Sequence, residues 1–314
     1  MKAAAVVVNF NGGGDLPRCL AALAAQTAPV EVIVVDCAST DGSRRFAERP
    51  PHGVRGVPLA ENLGYAGGCN AGLARADPDA EAVGFFNPDC FPTPGFFAAC
   101  LEALDRQPTL GGVAGRLMRP DGSRLDSCGQ VLTPVLLRVH DRGYDGPAEG
   151  RFAAPARVLA ACGAGMVYRR AALEAVRIEG TVFPGEFFAF WEDLDLGWRV
   201  CNRGWQVAYE PRAVAYHRRA ATAAPGRGRL ILRRSTDRAA DIVVNRWATL
   251  LRNLHPVDFW LRAPVLLPAE MVMLAWLLVR RPRVAPALVK RLPRLRAAAR
   301  QRRALVRHRL GVLR

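Results

Sequence analysis

Three short apolar runs, separated by segments with helical spacing, open the chain. The runs occupy residues 3–8, 31–35 and 83–86, and leucines recur at helical spacing after the first of them. Apolar strands that alternate with helices predict an α/β fold built on a parallel sheet. Ligands of such sheets bind at the carboxyl ends of the strands, where the second run meets Asp36 and the third meets residues 87–89.

An acidic stretch that directly follows aromatic residues is the most unusual feature of the pattern. Within residues 186–199, Glu192, Asp193 and Asp195 come just after a wall of Phe and Trp side chains. Carboxylates held against apolar surface have raised pKa values and can accept protons, which indicates a catalytic site. The alternative is an ordinary helix start, where the helix dipole favours acidic residues.

Two polar loops follow predicted strands. The hydroxyl-rich loop 37–43 after Asp36 is typical of a nucleotide contact, and also of a turn that caps a helix. Residues 62–72 contain four Gly and two Asn, and we expect this turn to expose backbone N–H groups to a phosphate at the start of a helix. Both loops therefore predict contacts with a phosphorylated ligand.

A candidate metal site is based on Asp89. Pro88 ends the third apolar strand, and Asp89 projects beyond it, opposite the glycine-rich turn. Oxygen ligands suit Mg²⁺ or Mn²⁺, and the alternative is an Asx turn at a Pro-containing loop. His217 stands at the end of a predicted strand over residues 213–216, a position where a lone His is more often structural than a ligand.

Composition limits the class of protein. The 314 residues, half of them hydrophobic, suit one large domain or a domain with an appendage, and they can bury a sizeable core. The eight Cys form no CxxC pair or compact cluster, so we expect free, mostly buried thiols in a reducing compartment. The first apolar run is too short for a signal peptide and is interpreted as a strand.

The composition changes after His217. Residues 218–235, rich in Arg and Ala, are expected to form a mobile loop near the binding site, and residues 237–254 have helical periodicity. The apolar segment 263–279 has seventeen residues, the lower limit for a spanning helix, and two Pro and one Glu interrupt it. We therefore expect a helix that lies on a membrane or packs on the protein, rather than one that spans.

The formal net charge of +16 is concentrated at the end of the chain, where residues 280–314 include thirteen basic residues and no acidic ones. This pattern predicts a basic amphipathic helix on an anionic membrane surface. One alternative is a helix that packs on its own catalytic domain. Another is nucleic-acid binding, which the absence of aromatic residues after Trp276 disfavours. The apolar residues of the predicted helix are Leu288, Leu292, Leu295, Ala299 and Val306.

Taken in order, these motifs resemble glycosyltransferase family 2, and within it the bacterial branch of rhamnosyltransferase-like and galactofuranosyltransferase-like enzymes. The resemblance implies the GT-A fold, with a mainly parallel nucleotide-binding sheet, for a catalytic domain of residues 1–217. A helical, basic, membrane-associating region of residues 218–314 would follow it. The segments that carry the resemblance are residues 7–11, 35–43, 62–72, 87–89 and 188–199.

The resemblance implies an inverting, metal-dependent transfer of rhamnose or a hexose from a dTDP- or UDP-sugar. The acceptor would be a hydroxyl of a cell-surface glycan or lipid-linked sugar at the cytoplasmic face of a membrane. Such a displacement needs a base for the acceptor hydroxyl and a Lewis acid for the departing diphosphate. Asp193 matches the family's base, with Glu192 as the alternative. Asp89 matches the last acid of the family's Asp-x-Asp motif, and because Asn87 replaces the first, His217 becomes a candidate second metal ligand.

The resemblance also implies which residues contact each substrate. On the acceptor side are Trp191, Asp195 and Arg199, the last two of which can also pair one turn apart. Two other functions stay open, a non-catalytic sugar-nucleotide-binding membrane protein and a nucleotidyltransferase, although residues 62–72 lack the Arg- and Lys-rich phosphate loop expected of the latter. The residues expected to bind the nucleotide sugar are Asn11, Asp36, Ser39, Asp41, Asn62, Gly64, Gly67, Asn70, Asn87 and Asp89.

Overall fold

The computed structural model describes residues 1–148, 150, 152–219, 230–303 and 308. Within them, one mixed sheet of ten strands is flanked by helices, and a helical region follows. The predicted α/β fold is therefore confirmed. Most of the predicted loop between the two regions lies outside the described residues, and so does Val306 of the predicted basic helix.

Strands and helices follow one another in the predicted order. The strands are β1 (Ala3–Asn9), β2 (Val30–Asp36), β3 (Val54–Pro58), β4 (Ala82–Phe86), β5 (Cys90–Pro92), β6 (Leu110–Met118), β7 (Leu125–Ser127), β8 (Gln130–Leu132), β9 (Val139–Asp141), β10 (Ala156–Val158), β11 (Gly165–Arg169) and β12 (Gln206–His217). The helices are α1 (Asp15–Ala24), α2 (Arg45–Glu48), α3 (Gly64–Leu73), α4 (Phe96–Arg106), α5 (Arg170–Ala175), α6 (Glu192–Asn202), α7 (Leu230–Arg233), α8 (Thr236–Asn253), α9 (Pro256–Arg280), α10 (Val284–Arg291) and α11 (Pro293–Arg302).

The sheet has a parallel half and a largely antiparallel half. Strands β3, β2, β1 and β4 are parallel neighbours, as the alternation of apolar runs and helices predicts. Strand β11 then pairs antiparallel with β4 and β6, and β12 runs parallel to β6. The mainly parallel sheet expected from the resemblance is thus limited to the first half. Strands β8 and β9 form a separate hairpin.

The apolar runs are continuous because both faces of the sheet are covered. Every residue of β1 is buried, with α3 on one face and α1 and α4 on the other. All eight Cys lie within the described residues, where they are free and seven are buried, as predicted. Burial raises the pKa of Cys37 and that of Cys201 to about 12, so both thiols stay protonated at neutral pH.

Helix α3 differs from the predicted glycine-rich turn. It begins at Gly64 and includes Gly67, Gly68 and Gly72, so these glycines lie within a helix. A Cβ on Gly68 would lie 2.4 Å from Cγ1 of Val8 in β1. The missing side chains therefore let α3 pack closely on the sheet, which corrects the prediction that these glycines present their N–H groups to a phosphate.

The C-terminal helices are built onto the catalytic region. Leu250 and Leu254 at the end of α8, and Leu266 of α9, are buried in the core that covers one face of the sheet. Arg246 of α8 donates to the carbonyl oxygen of Leu137, in the loop between β8 and β9, at 2.7 Å. The two predicted regions of the chain therefore share a hydrophobic core.

Helix α9 continues through both of its internal prolines over 25 residues. By length and composition it could cross a membrane, and 17% of its most apolar window is buried. Glu270, which interrupts the apolar pattern, accepts from Arg246 Nη2 at 2.6 Å and from Trp247 Nε1 at 2.8 Å. One face of α9 is thus held on α8. The exposed large apolar residues of α9 are Val257, Trp260, Leu261, Val265, Leu267, Met271, Val272, Trp276 and Val279.

The basic end of the chain forms two helices, α10 and α11, which corrects the prediction of a single amphipathic helix. Leu288 of α10 is buried and Leu295 of α11 is half-buried in a cluster with apolar residues of α8. Leu288 and Leu295 of the predicted apolar stripe therefore face the protein, whereas Leu292 and Ala299 are exposed. Arg291 and Arg294 pair with the buried Asp241 of α8. The exposed basic residues in α9, in the loop after it, in α10 and α11, and just past α11 are Arg280, Arg283, Lys290, Arg296, Arg300 and Arg303.

Candidate active site

A cleft of about 490 Å³ opens where β1 and β4 end. Its other wall consists of residues 188–190, of Arg234 just before α8, and of Arg238 within α8. Distant segments of the chain thus meet at the carboxyl edge of the parallel half-sheet, as expected for this class of fold. The predicted donor residues that the structure brings together in the cleft wall are Asn11, Asn62, Gly64, Asn87 and Asp89.

The cleft wall also contains Phe10, Arg234 and Arg238, to which the sequence prediction gave no role. Phe10 directly follows β1 and is 50% exposed. Arg238 lies over the ring of Phe188, with its guanidinium carbon 3.7 Å from the ring centre, and Arg234 is close by in the same wall. Phe10 could have been identified from the sequence, because it is an aromatic residue directly after an apolar strand. Arg234 and Arg238 could not, because they lie in a basic segment without a motif.

The loop after β2 lines the cleft only through Cys37 and otherwise supports it. Asp36 is fully buried and accepts from Asn9 Nδ2 at 2.6 Å and from the amide of Ser39 at 2.9 Å. Ser39 Oγ in turn accepts from the amide of Asn11 at 2.9 Å, and Asp41 accepts from a backbone amide in the turn after β1 at 2.8 Å. This corrects the prediction of direct donor contacts by Asp36 and Ser39, which are buried and hold the turn that carries Asn11. For Asp41, which is exposed, the donor contact stays a prediction.

Two further predicted donor residues lie away from the cleft. Asn70 donates from Nδ2 to the carbonyl of Phe183 at 2.8 Å and accepts from the amide of the same residue at 3.0 Å. A Cβ on Gly67 would lie 2.5 Å from Cβ of Leu63, one turn earlier. Both assignments are corrected: Asn70 ties α3 to the segment before α6, and Gly67 relieves crowding within α3.

Asp89 and His217 approach each other at the edge of the cleft. Nε2 of His217 lies 3.3 Å from Oδ1 of Asp89. Adjacent ligands of an octahedral ion with bonds of about 2.1 Å are about 3 Å apart, so this separation fits two ligands of one divalent cation. Nδ1 of His217 lies 2.8 Å from Oδ2 of Asp126, a carboxylate partner that fixes the ring tautomer and leaves Nε2 to face Asp89.

The electrostatic surroundings of this pair are acidic. Burial alone would lower the pKa of His217, but its bonds to Asp126 and Asp89 raise it above the ordinary value. Within the described residues, no cluster of three or more His, Cys, Asp and Glu side chains could hold a metal by itself. A cation here would therefore take its remaining ligands from substrate oxygens and water, as Mg²⁺ commonly does. Asp126 was missed because the sequence assigned no chemistry to its segment.

Asp193 is held at the start of α6 by three hydrogen bonds. It accepts from Gln130 Nε2 and from the amide of Gly163, both at 2.9 Å, and from the amide of Leu194 at 2.8 Å. The hydroxyl of Tyr65, a residue of the cleft wall, donates to the carbonyl of Gly163. Burial raises the pKa of Asp193, and the bonds from Gly163 and Gln130 offset part of that rise. The carboxylate is thus oriented beside the cleft and keeps affinity for a proton.

Glu192 lies deeper than Asp193. It is 7% exposed, and its Oε2 has no hydrogen-bond partner among the described residues. Burial, followed by the charge of Asp193, raises the pKa of Glu192 well above its ordinary value. The two adjacent acids therefore differ in environment, with Asp193 oriented by donors and Glu192 enclosed in apolar surroundings.

The aromatic segment before α6 has a strained backbone. Phe188, Phe190 and Trp191 have φ values of 60°, 73° and 74°, in a region that residues other than Gly rarely adopt. Asn245 of α8 donates from Nδ2 to the carbonyls of Phe187, Ala189 and Phe190 at 2.8, 3.1 and 3.0 Å. Backbone strain of this kind persists only where the surroundings enforce it, and here α8 does so. Asn245 therefore positions the start of α6.

Replacing Asn245 with Ala is expected to lower the free energy of unfolding by about 1–3 kcal/mol, the cost of leaving buried polar groups without partners. Catalysis should also fall through kcat rather than through the KM of the donor, because α6 carries the candidate base. Chemical denaturation and steady-state kinetics measure the two effects. Gln107→Ala, which removes an exposed amide bonded to Gln206, is the control and should change stability by less than about 0.5 kcal/mol.

Asp195 and Arg199 are fully buried, which corrects the prediction that they contact the acceptor. They pair one turn apart, as their spacing predicts, with Nε of Arg199 2.8 Å from Oδ2 of Asp195. Arg252 and Asn253 of α8 bind the other carboxylate oxygen at 2.6 and 2.8 Å. Although burial alone would raise it, the charges of Arg252 and Arg199 hold the pKa of Asp195 below its ordinary value. The cluster anchors α6 to α8.

A family model and a related enzyme match the sequence of this chain, and solved structures match its fold. The model of the family described as Glycosyl transferase family 2 matches residues 4–177. An N-acetylglucosaminyl-diphospho-decaprenol L-rhamnosyltransferase of Mycobacterium tuberculosis is 30% identical over 217 residues, which are 62% of this chain and 69% of that enzyme. Solved structures with the same fold are more distant in sequence.

Two of these structures cover most of the chain. The mannosyltransferase PcManGT from Pyrobaculum calidifontis, in complex with GDP-Man and Mn²⁺, superimposes with a TM-score of 0.54 at 24% identity, covering 95% of this chain and 75% of that one. S. aureus TarS 1-349 in complex with UDP has a TM-score of 0.52 at 19% identity, covering 97% and 92% of the two chains. At these identities, the two structures establish the fold.

Proposed function

Because the chain belongs to glycosyltransferase family 2, we propose that it transfers a sugar, with inversion, from a dTDP- or UDP-sugar to a hydroxyl of a lipid-linked acceptor. Rhamnose is the first candidate for that sugar and a hexose the next. The proposal rests on one arrangement: Asp193 is a carboxylate oriented beside the cleft, and Asp89 in the cleft wall lies 3.3 Å from His217, with which it would hold a cation. The acceptor class follows from the mycobacterial relative, whose name specifies N-acetylglucosaminyl-diphospho-decaprenol.

Asp193 is the proposed general base. It would take the proton of the acceptor hydroxyl as that oxygen bonds to the anomeric carbon and the bond from this carbon to the diphosphate oxygen breaks. The products are the glycoside and a nucleoside diphosphate, and the proton stays on Asp193 until water removes it. The raised pKa of Asp193 suits this task, since a base with more affinity for the proton drives the transfer further.

The leaving diphosphate needs positive charge. Asp89 and His217 would hold a divalent cation, Mg²⁺ or Mn²⁺, which supplies Lewis-acid stabilisation of the diphosphate when bound. Arg234 and Arg238 stand in the same cleft and would add cationic contacts to the phosphate oxygens. Phe10, exposed at the end of β1, would provide a surface on which the nucleobase of the donor can stack.

Removing either metal ligand is expected to lower activity by about 10²–10⁴-fold, because Lewis-acid stabilisation is worth several kcal/mol. Asp89→Ala and His217→Ala should also raise the concentration of Mn²⁺ needed for half-maximal activity. His52→Ala, at an exposed His outside the cleft, is the control. Unchanged turnover and unchanged metal dependence in both variants would remove the metal site.

The experiment that tests the function itself is identification of the released product with a panel of nucleotide sugars. Acceptor-dependent release of a nucleoside diphosphate is expected. Release of pyrophosphate would indicate a nucleotidyltransferase, and donor binding without release would indicate a non-catalytic sugar-nucleotide-binding protein. No motif or contact in the described residues favours either alternative.

We also propose that the enzyme works at the cytoplasmic face of a membrane, as a peripheral protein that lays α9 on the surface. Support comes from the exposed apolar residues of α9 and from the exposed basic residues around α10 and α11. Apolar contact and several Lys or Arg at about 1 kcal/mol each favour an anionic surface. The full chain should sediment with anionic vesicles, and recovery of all the protein in the supernatant would refute the proposal.

A further inference from the structure

An apolar groove lies between α8, α9 and the start of β9. Its volume is about 770 Å³, within the range of about 300–1,000 Å³ that is typical of ligand sites. We call it the α9 groove. Side chains from five segments line it, including Trp191, Ile242, Ala269, Met273 and Trp276.

The inner end of the α9 groove adjoins the candidate active site. Trp191 belongs to the groove wall and directly precedes Glu192 and Asp193 in the chain. Its backbone is held in the left-handed region, and the guanidinium of Arg246 lies 5.4 Å from the centre of its ring. Trp191 therefore links the groove wall to the start of α6, which carries the two acids.

The outer end of the α9 groove opens at the apolar surface of α9. Val272 and Trp276 line the groove and are 69% and 39% exposed, so the groove wall is continuous with the exposed apolar surface of the helix. Its one carboxylate, Glu270, is neutralised by Arg246. The groove thus joins an apolar exterior to a catalytic interior.

We infer that the α9 groove binds the isoprenoid chain of a lipid-diphosphate acceptor, an inference that rests on the proposed function. The acceptor sugar must reach Asp193 while its lipid stays in the membrane, and the groove is an apolar route between these two places. A bilayer acyl chain would match the apolar lining but has no group to place beside the base.

Charge in the groove also fits this occupant. Arg138, in the loop before β9, is exposed and lines the groove. It makes no ion pair within the described part of the chain, whereas Arg246 is used by Glu270. A cation at the wall of an otherwise apolar groove suits the diphosphate that joins the isoprenoid to the sugar. Neither α10 nor α11 contributes to the described lining, so these helices leave the groove open.

Binding of decaprenyl diphosphate to the full chain in detergent tests the groove without any glycosyl transfer. Ala269→Trp, which fills the groove, should weaken this binding by about tenfold, the factor expected when burial of roughly two methylene groups is lost. Binding of geranyl diphosphate, whose chain is short, should stay unchanged. The matched control is Ala275→Trp, because Ala275 lies in the same helix but is exposed and outside the groove lining.

Several outcomes would overturn the inference. One is equal affinity of the unmodified chain for the two diphosphates. Another is an equal effect of Ala269→Trp and Ala275→Trp, which would indicate that α9 meets detergent or bilayer lipid without a defined groove. If Ala269→Trp does not fold, Met273→Ala removes a contact from the same wall and should weaken decaprenyl diphosphate binding alone; full retention would count against the groove.

A transfer assay separates this inference from the proposed function. With dTDP-rhamnose and N-acetylglucosaminyl diphosphate on either a decaprenyl or a geranyl chain, Ala269→Trp should lower kcat/KM for the long acceptor alone. Equal kcat/KM values of the unmodified chain for both acceptors would refute the groove and leave the function intact. Loss of all transfer with chain-length-dependent binding retained would refute the function and leave the groove.

Discussion

Replacing Asp193 with Asn is expected to lower kcat by about 10²–10⁴-fold, the contribution of a positioned general base. The substitution keeps the size of the side chain but removes its capacity to take the acceptor proton. Donor binding should persist, because Asp193 lies outside the wall of the cleft that would hold the nucleotide. Steady-state kinetics and a donor-binding titration measure the two quantities.

Glu192→Gln is the matched comparison for this prediction. The two acids are adjacent, but Glu192 is enclosed and has an unpartnered oxygen among the described residues, whereas Asp193 is oriented by Gln130 and Gly163. We expect Glu192→Gln to retain substantially more activity than Asp193→Asn. If Asp193→Asn kept normal turnover while Glu192→Gln abolished it, the base would be Glu192.

Asp193 as the general base also predicts how kcat/KM depends on pH. Asp193 acts in its ionised form, so kcat/KM should fall as the pH drops through its pKa, which burial raises above the ordinary value of about 3.9. The bond from Gln130 favours the ionised form. Gln130→Ala should therefore move the acid limb of the pH profile to higher pH. A purely structural effect of this variant would lower activity at every pH alike.

Replacing Asp195 with Asn is expected to cost about 3–5 kcal/mol of unfolding free energy, because it leaves Arg199 buried without its counter-charge and removes the nearer carboxylate of Arg252. All three side chains are fully buried. Equilibrium unfolding in urea measures the loss, and a shift in the midpoint without a change in slope would show that stability itself changed.

The control is the same substitution in an exposed ion pair. Asp237→Asn removes a partner of Arg291, 2.9 Å away, at a side chain that is 72% exposed, and should cost less than about 1 kcal/mol. If Asp195→Asn were as mild as Asp237→Asn, the buried cluster would not be what holds α6 against α8.

The three neighbouring acids illustrate how far sequence reasoning reaches. Their position after an aromatic wall predicted a special environment, and the i,i+4 spacing predicted the pairing of Asp195 with Arg199, because both depend on contacts within one helix. The partner that makes Asp195 structural is Arg252, which is 57 residues away. No local pattern could identify it.

The glycine-rich segment 62–72 shows where local sequence reasoning gave a wrong prediction. Glycine is compatible with a phosphate-binding turn and with a helix that packs tightly on a sheet, so residue type alone does not choose between them. The choice depends on whether Val8 of β1 lies under the segment, which is a tertiary contact. Gly64 and Asn62 remain in the cleft wall, whereas Gly67 and Asn70 support the packing of α3.

By itself, the sequence determined the α/β order of elements and the strand ends that form the cleft, and its resemblance to a known family pointed to Asp89 and His217 as neighbours. These features depend on periodicity, on the geometry of parallel strands and on motifs read in order. Tertiary structure alone decided that Asp126 supports His217, that Asn245 holds the strained turn before Asp193, and that α9 borders a groove reaching Trp191. Each of these contacts joins segments far apart in the chain, where only the packing of side chains selects the partner.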